Sequence, residues 1–359
     1  MRWSVFCRVV DNFGDIGFAW RLAADLAARG EEVRLVVDDA SALAWMAPRG
    51  RDGVTVVSDR ATASEAMAAG DVLVETFGCG LPADVMALAA RAATPPVCVN
   101  VEHLSAEDYV ERSHGLPSPP ATPSGEALPT WFFYPGFTAR TGGLVREPAL
   151  LARRLRFAAE RDGPVSTGIV RRSPERRVSL FCYTNPALDP MLDALADEPT
   201  LLLLTPGPAS AQAAALLGPS LVRGQLRGQF LQPLSQLEYD PLLWSCDINF
   251  VRGEDSLVRA IWAGSPFVWQ IYPQEDEAHV AKLEAFLGRF LGRADPALAR
   301  SIRATFLAWN GMDAPPPASS RLSRVALDAW AAHCRHFRDE LATQTDLTSA
   351  LIEFVASKR

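Results

Sequence analysis

The sequence predicts an α/β protein built from two doubly wound, parallel-sheet domains. Short runs rich in Val, Leu and aromatic residues alternate with Ala-rich stretches at helical spacing. The alternation stops at a segment of Pro, Gly and charge, then starts again. A length of 359 residues, roughly two to three times a usual domain, leaves room for two cores rather than one.

Residues 1–38 read as one β-α-β unit. Residues 3–10 are a short apolar run and a candidate buried strand, and 11–17 form the loop that follows. Residues 18–29 place Ala, Leu and Trp at helical spacing, with Gly30 suited to the C-cap, and 33–37 supply the next strand. Further strands are expected at 53–58, 71–75 and 97–101, with Ala-rich helices between them. Residues 115–130 read as an exposed loop and 158–177 as the interdomain linker. Strands then recur at 178–183, 200–205, 221–222, 247–251 and 266–271. Residues 276–310 and 321–357 are mainly helical, interrupted by a turn at 313–317. No short-period repeat appears, which excludes a solenoid. Two α/β domains facing a cleft is the economical arrangement.

Composition narrows the function classes. Hydrophobic residues at 48% with 21% charged describe a globular chain. A net charge of −7 excludes an electrostatic grip on bulk nucleic acid as the main activity. The six cysteines (Cys7, Cys79, Cys98, Cys182, Cys246, Cys334) stand far apart without a CxxC pair, as buried reduced thiols do. The first residues are apolar only as far as Val10, too short for a signal-peptide core. No apolar run approaches the roughly 20 residues needed to span a bilayer. The expected location is the cytoplasm, away from membranes.

In doubly wound sheets ligands bind beyond the carboxyl ends of the strands. Two loops at such places carry chemistry. The first, Asp11 to Gly17, has glycines for a tight turn but lacks the GxGxxG spacing, and Asp11 and Asp15 would repel a diphosphate. Paired carboxylates suit a cationic acceptor or a proton-accepting role; the plainer alternative is one helix cap and one solvated acid. The second loop, Arg252-Gly253-Glu254-Asp255-Ser256, lies between the strand 247–251 and an expected short helix at 257–263. Backbone N–H groups there, with the Ser256 hydroxyl and Arg252, suit a phosphate, whereas Glu254 and Asp255 must face sugar hydroxyls or an acceptor. An Arg–Glu ion pair with an N-cap is the plainer alternative. Phe181, Tyr183, Tyr239 and Tyr272 could stack a flat base, though such rings are more often core. The five histidines show no HExxH or Cys/His cluster, and there is no Walker A or GxSxG motif, so no metal site is expected.

The blocks VDNFGDIGFAWRLA and LLWSCDINFVRGEDSLVRAIWAGSPFVWQIYPQEDEAH together resemble the bacterial EarP-type protein-arginine rhamnosyltransferases, and matching elements span nearly the whole chain. The resemblance implies a GT-B architecture, two Rossmann-like domains with the active site between them. The expected domains are 1–174, completed by a C-terminal helix at 343–359, and 175–342. It implies transfer of L-rhamnose from dTDP-β-L-rhamnose to an arginine of translation elongation factor P, with inversion at the sugar carbon and activation of that factor. Asp15 is then the general base, Asp11 helps hold the guanidinium, and Asn12, Phe13, Gly14 and Gly17 shape the sugar and acceptor side. Arg252 to Ser256 hold the diphosphate and sugar, with Glu254 catalytically important. Tyr183, Gln236 and Tyr272 match donor-side positions and Phe181 a ring near the thymine. Either Phe230 or Tyr239 completes the base pocket. No cofactor and no metal are implied.

Arginine has a pKa above 12 and a carboxylate one near 4, so complete prior proton transfer would cost on the order of 12 kcal/mol. Asp11 and Asp15 are therefore expected to align the guanidinium, with Asp15 taking the proton late, as the C–N bond forms. Helix-start amides and Arg252 would stabilise the leaving dTDP, and domain closure would exclude water. The alternatives are a GT-B transferase using another nucleotide sugar and a small-molecule acceptor, or a non-catalytic nucleotide-binding regulator. A nicotinamide oxidoreductase is disfavoured by the acids and the missing third glycine of the first loop.

Overall fold

The computed structural model describes residues 1–11, 13–58, 70–118, 128–159, 174–274, 277–312 and 322–359. The chain divides into two compact units, Met1–Glu147 with Ala342–Arg359, and Pro148–Leu341.

The first unit is built on six parallel strands, β1 (Arg2–Cys7), β2 (Glu32–Val37), β3 (Val54–Val57), β4 (Val72–Thr76), β5 (Val97–Val101) and β6 (Thr130–Phe133), in the order β3-β2-β1-β4-β5-β6. The order reverses between β1 and β4, where Trp3 pairs with Val33 on one side and Val72 on the other. That reversal opens a crevice at the carboxyl ends of the two strands. The central strands are covered on both faces, which is why they read as continuous apolar runs rather than alternating ones. The helix Gly14–Ala28 lays Leu22 and Leu26 on this sheet, and the C-terminal helix Leu347–Lys358 adds Leu347, Leu351 and Val355 to the same core. Full burial of such side chains stabilises the unit by about 1.5–3 kcal/mol each. The C-terminal helix is fixed at its start by Asp346, which accepts Ser349 N–H at 3.0 Å and pairs with Arg29 at 2.8 Å.

The second unit repeats the plan with β7 (Arg176–Leu180), β8 (Thr200–Leu204), β9 (Val222–Arg223), β10 (Leu226–Phe230), β11 (Ile248–Arg252) and β12 (Phe267–Gln270). Their order is β12-β11-β7-β8-β10-β9, parallel except for the short edge strand β9, with the reversal between β7 and β11. The helix Leu150–Ala159 lies upstream of the expected 174/175 boundary yet belongs to this unit. Phe157 meets Trp244 edge-on at 5.5 Å, and Arg153 reaches Asp240 at 3.4 Å.

Several elements differ from expectation. The first helix starts at Gly14, not 18, and the helix after β11 starts at Gly253, not 257, so both candidate loops end inside first helical turns. Strands β6 and β10 were not anticipated, and the 115–130 segment read as an exposed loop instead ends in β6. The expected strand at 221–222 is the edge strand β9. The helical stretch 276–310 is two helices, Ala278–Leu291 and Pro296–Trp309, because Asp295 caps Ala297 and Leu298 N–H and Pro296 starts the second. The turn at 313–317 and most of the linker at 158–177 lie outside the described residues. All six cysteines are free thiols, five of them buried. Among the described residues no helix is long and apolar enough to cross a membrane.

Candidate active site

In the first unit the chain leaves β1 at Cys7 and enters the helix Gly14–Ala28 through a loop tied down by its own acid. Asp15 Oδ2 accepts Val10 N–H at 2.7 Å and Asp11 N–H at 2.9 Å. Among the described residues the other oxygen, Oδ1, takes no hydrogen bond. Asp15 lies in the first helical turn, where the helix dipole favours a negative charge. Gly14 N–H donates to the Asp11 carbonyl at 2.6 Å, and a Cβ at Gly14 would stand 2.7 Å from Asp11 Oδ2. A side chain at position 14 would push the Asp11 carboxylate aside. Gly17 is buried and donates to the Phe13 carbonyl at 3.0 Å, while the Phe13 ring packs edge-on against Trp45 at 5.1 Å.

More negative charge surrounds this mouth. Asp38, just past β2, accepts Val9 N–H at 2.9 Å. Burial pushes the Cys7 thiol up to about 12, and the nearby carboxylates of Asp15 and Asp38 add to the effect. At the carboxyl end of β4, burial likewise raises the Glu75 carboxyl above the ordinary range, with Glu102 adding to it. The region suits a cation and disfavours a phosphate.

The second unit presents the opposite chemistry at the corresponding place. Arg252 ends β11 and is only 5% exposed. Its guanidinium lies over the Phe181 ring at 5.0 Å and the Tyr183 ring at 4.4 Å, residues that follow β7. Tyr183 meets Tyr272 edge-on at 5.5 Å, and Phe181 meets Tyr239 edge-on at 5.7 Å. The Tyr239 hydroxyl is buried beside Ser256, and burial raises its pKa far above the usual value. Phe230, the other candidate ring, is 53% exposed at the end of β10. Gly253 adopts a left-handed φ of +64°, which turns the chain from β11 into the helix and leaves the first-turn N–H groups facing the strand end. The Trp269 indole N–H fixes this turn by donating to the Gly253 carbonyl at 2.9 Å. Glu254 pairs with Lys282 at 2.6 Å, Asp255 is half-buried, and Ser256 is buried. Gln236 opens the helix Gln236–Ser245, whose start is held by a Ser235–Glu238 capping box. Deeper in, Arg259 clamps Asp240 through Nε at 2.7 Å and Nη2 at 2.5 Å, both side chains buried, which locks the two helices together.

The comparisons with known proteins decide the family. A family model described as elongation factor P (EF-P) rhamnosyltransferase EarP matches residues 3–356. The protein-arginine rhamnosyltransferase of Pseudomonas aeruginosa is 42% identical, covering 99% of this chain and 98% of the relative. The chain belongs to the EarP family. It is a protein-arginine rhamnosyltransferase by kinship, and so a glycosyltransferase. The Pseudomonas putida relative is 43% identical over 98% of both chains. A solved structure described as the structural basis for EarP-mediated arginine glycosylation of translation elongation factor EF-P matches with a TM-score of 0.71 and 34% identity, over 100% of this chain and 99% of the other. The glycosyltransferase VinC, solved with dTDP, is 16% identical with a TM-score of 0.52, over 100% of both chains, and supports the GT-B fold alone.

Within this EarP-family chain the expected residues fall into two sets. Asp11, Phe13, Gly14, Asp15 and Gly17 gather at the β1 mouth; Asn12 lies outside the described residues. Phe181, Tyr183, Tyr239, Arg252, Ser256 and Tyr272 gather at the β7–β11 mouth, with Gly253, Glu254 and Asp255 in the same first helical turn and Gln236 opening the neighbouring helix. The sequence reading missed Lys282, the partner of Glu254, because nothing in its own helix distinguishes it from a solvated lysine. It also missed Asp38, which only the parallel pairing of β1 with β2 brings to the first mouth.

Proposed function

We propose that this enzyme moves L-rhamnose from dTDP-β-L-rhamnose to an arginine side chain of translation elongation factor P, with inversion at the sugar carbon. The observation that carries the reading is the Asp15 carboxylate, held by two backbone N–H groups through one oxygen, while the other takes no hydrogen bond among the described residues. Such anchoring pre-sets the base without neutralising it. Asp11 and Asp15 align and localise the guanidinium charge. As the arginine nitrogen bonds to the sugar carbon, the bond from that carbon to the dTDP oxygen breaks, and the proton of the acidified nitrogen passes to Asp15. The electron pair leaves on the diphosphate, where Arg252 and the helix-start amides of Gly253 to Asp255 receive it.

Phe181, Tyr183 and Tyr239 hold the nucleoside side of the donor, Tyr272 borders Tyr183 on the donor side, and Glu254, oriented by Lys282, faces the sugar. The positive charge at the leaving group comes from Arg252, so the proposal calls for no metal and no cofactor. It places the reaction in the cytoplasm, where the acceptor works.

Intact-mass analysis tests the reading directly. Elongation factor P incubated with the enzyme and dTDP-β-L-rhamnose, with and without EDTA, should gain one deoxyhexose on an arginine at equal rates, and NMR of the product should show the inverted anomer. Saturable dTDP binding without mass gain would reject the acceptor. Absence of both would reject donor and acceptor together.

A further inference from the structure

Gln270 is the last residue of β12 and pairs in register with Arg252. It is 7% exposed, and its amide is asymmetric: Nε2 donates to the Thr184 carbonyl at 3.3 Å, while Oε1 is enclosed with no partner among the described residues. Exchanging the amide oxygen and nitrogen would set oxygen against the Thr184 carbonyl, so the geometry fixes Oε1 as the unfilled acceptor. Buried polar groups are almost always paired, and one left unpaired beside a ligand mouth marks a partner that arrives with the ligand. The backbone around it is rigid. Trp269 is tied to Gly253, and Ile271 N–H donates to Asn310 Oδ1 at 3.0 Å.

An acceptor-only atom cannot bind phosphate oxygens; it needs an O–H or N–H. In the strand order β12-β11-β7, the rings Phe181 and Tyr183 follow β7, while Gln270 ends β12 on the other side of Arg252. With the diphosphate at Arg252 and the base against the rings, the group left for the β12 side is the transferred sugar. We propose that Gln270 is a specificity-determining residue of the donor site, whose amide oxygen accepts a hydroxyl of the transferred sugar of a nucleoside diphosphate sugar. The assignment rests on the donor reading above.

The test compares two ligands on one variant. Gln270→Met keeps the length of the side chain and removes the acceptor. Its Kd for dTDP should stay within about twofold of the parent, while its Kd for dTDP-β-L-rhamnose should rise about tenfold. The dTDP titration reports that the site is folded; should the Met variant lose it, Gln270→Asn, which withdraws the oxygen by one methylene, gives the same readout. On the parent chain, a dTDP-sugar lacking the accepted hydroxyl should bind about tenfold more weakly than the full sugar, and Gln270→Met should erase that difference. Equal weakening of dTDP and dTDP-rhamnose would place the contact on the nucleoside and overturn the proposal, as would no change in either. A parent chain that binds dTDP but not dTDP-β-L-rhamnose would sink the donor reading and this inference together.

Discussion

Substitution of Asp15 separates a base from a loop anchor: the structure shows the anchor, and the proposed mechanism gives the same side chain the proton. In Asp15→Asn the amide oxygen can still accept Val10 and Asp11 N–H, now as neutral rather than charge-assisted bonds. The stability cost is then about 1–2 kcal/mol, whereas Asp15→Ala gives up both bonds and costs about 2–4 kcal/mol, reduced by water at the exposed Val10 end. Activity should not follow that ranking. The oxygen left for proton transfer becomes an amide nitrogen in Asn, so both variants should lose about 10²–10⁴-fold in transfer rate. That loss is about 3–5 kcal/mol of transition-state stabilisation, at 1.36 kcal/mol per tenfold. The assay is the rate of mass gain on elongation factor P, read beside thermal unfolding and dTDP affinity. Both variants should bind dTDP normally, because the ring and arginine site belongs to the other unit. A folded Asp15→Asn enzyme with turnover within about threefold of the parent would show that Asp15 only holds the loop.

Other substitutions test the second unit and the thiols. Arg252→Lys keeps the charge but loses the flat cation lying over Phe181 and Tyr183, and should weaken dTDP binding about 10–100-fold by calorimetry. Removing one member of the buried Arg259–Asp240 clamp, as in Arg259→Met, should destabilise the unit by about 3–5 kcal/mol in denaturant titration, and adding Asp240→Leu should recover most of that loss. At pH 8 under native conditions, Cys79, the one cysteine that is not fully buried, should react with a thiol reagent well before the other five. Burial pushes Cys7, Cys98 and Cys246 up to about 12, above the unfolded thiol value near 8.5. The folded chain therefore keeps protons that the unfolded chain loses. Stability should be intact below about pH 8.5 and fall as pH rises toward 12, a slope that Cys→Ala variants should flatten.

The buried strands were legible because both of their faces meet protein, so they spell unbroken apolar runs. The two missed strands are among those for which this fails; β3 and β9 fail it too, and β3 was legible only as a run of Val and Thr after a glycine. β10, Leu-Arg-Gly-Gln-Phe, is only half-buried beside the edge strand β9, and β6 is an edge strand itself. The helix starts were misplaced for a local reason. Gly14, Asp15 and Gly17 in one helix, and Gly253 to Ser256 in the other, fill the first turns with glycine, acid and serine, residues of low helix propensity that read as loop. The loops themselves stood out, since local sequence carries them. The contacts that set their properties did not: Arg252 on Phe181 and Tyr183, Glu254 on Lys282, and Gln270 against Thr184 all join residues far apart in sequence.

Apart from the edge strands β6 and β9, the two sheets share one strand order, and that order explains where the chemistry gathers but not its sign. A doubly wound sheet offers backbone N–H groups at the helix start beside the order reversal, and an anion is the default ligand there. In the second unit the default is kept and strengthened by a buried arginine that aromatic faces hold in place. In the first unit it is inverted. Asp15 turns its own carboxylate onto the loop N–H groups that would otherwise greet a phosphate, and Asp11 and Asp38 add further negative charge. The missing third glycine belongs to that inversion: a loop occupied by its own carboxylate has no pyrophosphate to accommodate. Restoring a phosphate-binding loop would therefore take more than glycines. Asp15→Gly should leave the loop N–H groups open yet still fail to bind dTDP in the first unit, because Asp11 and Asp38 remain; binding of a second equivalent of dTDP by that variant would refute the electrostatic account.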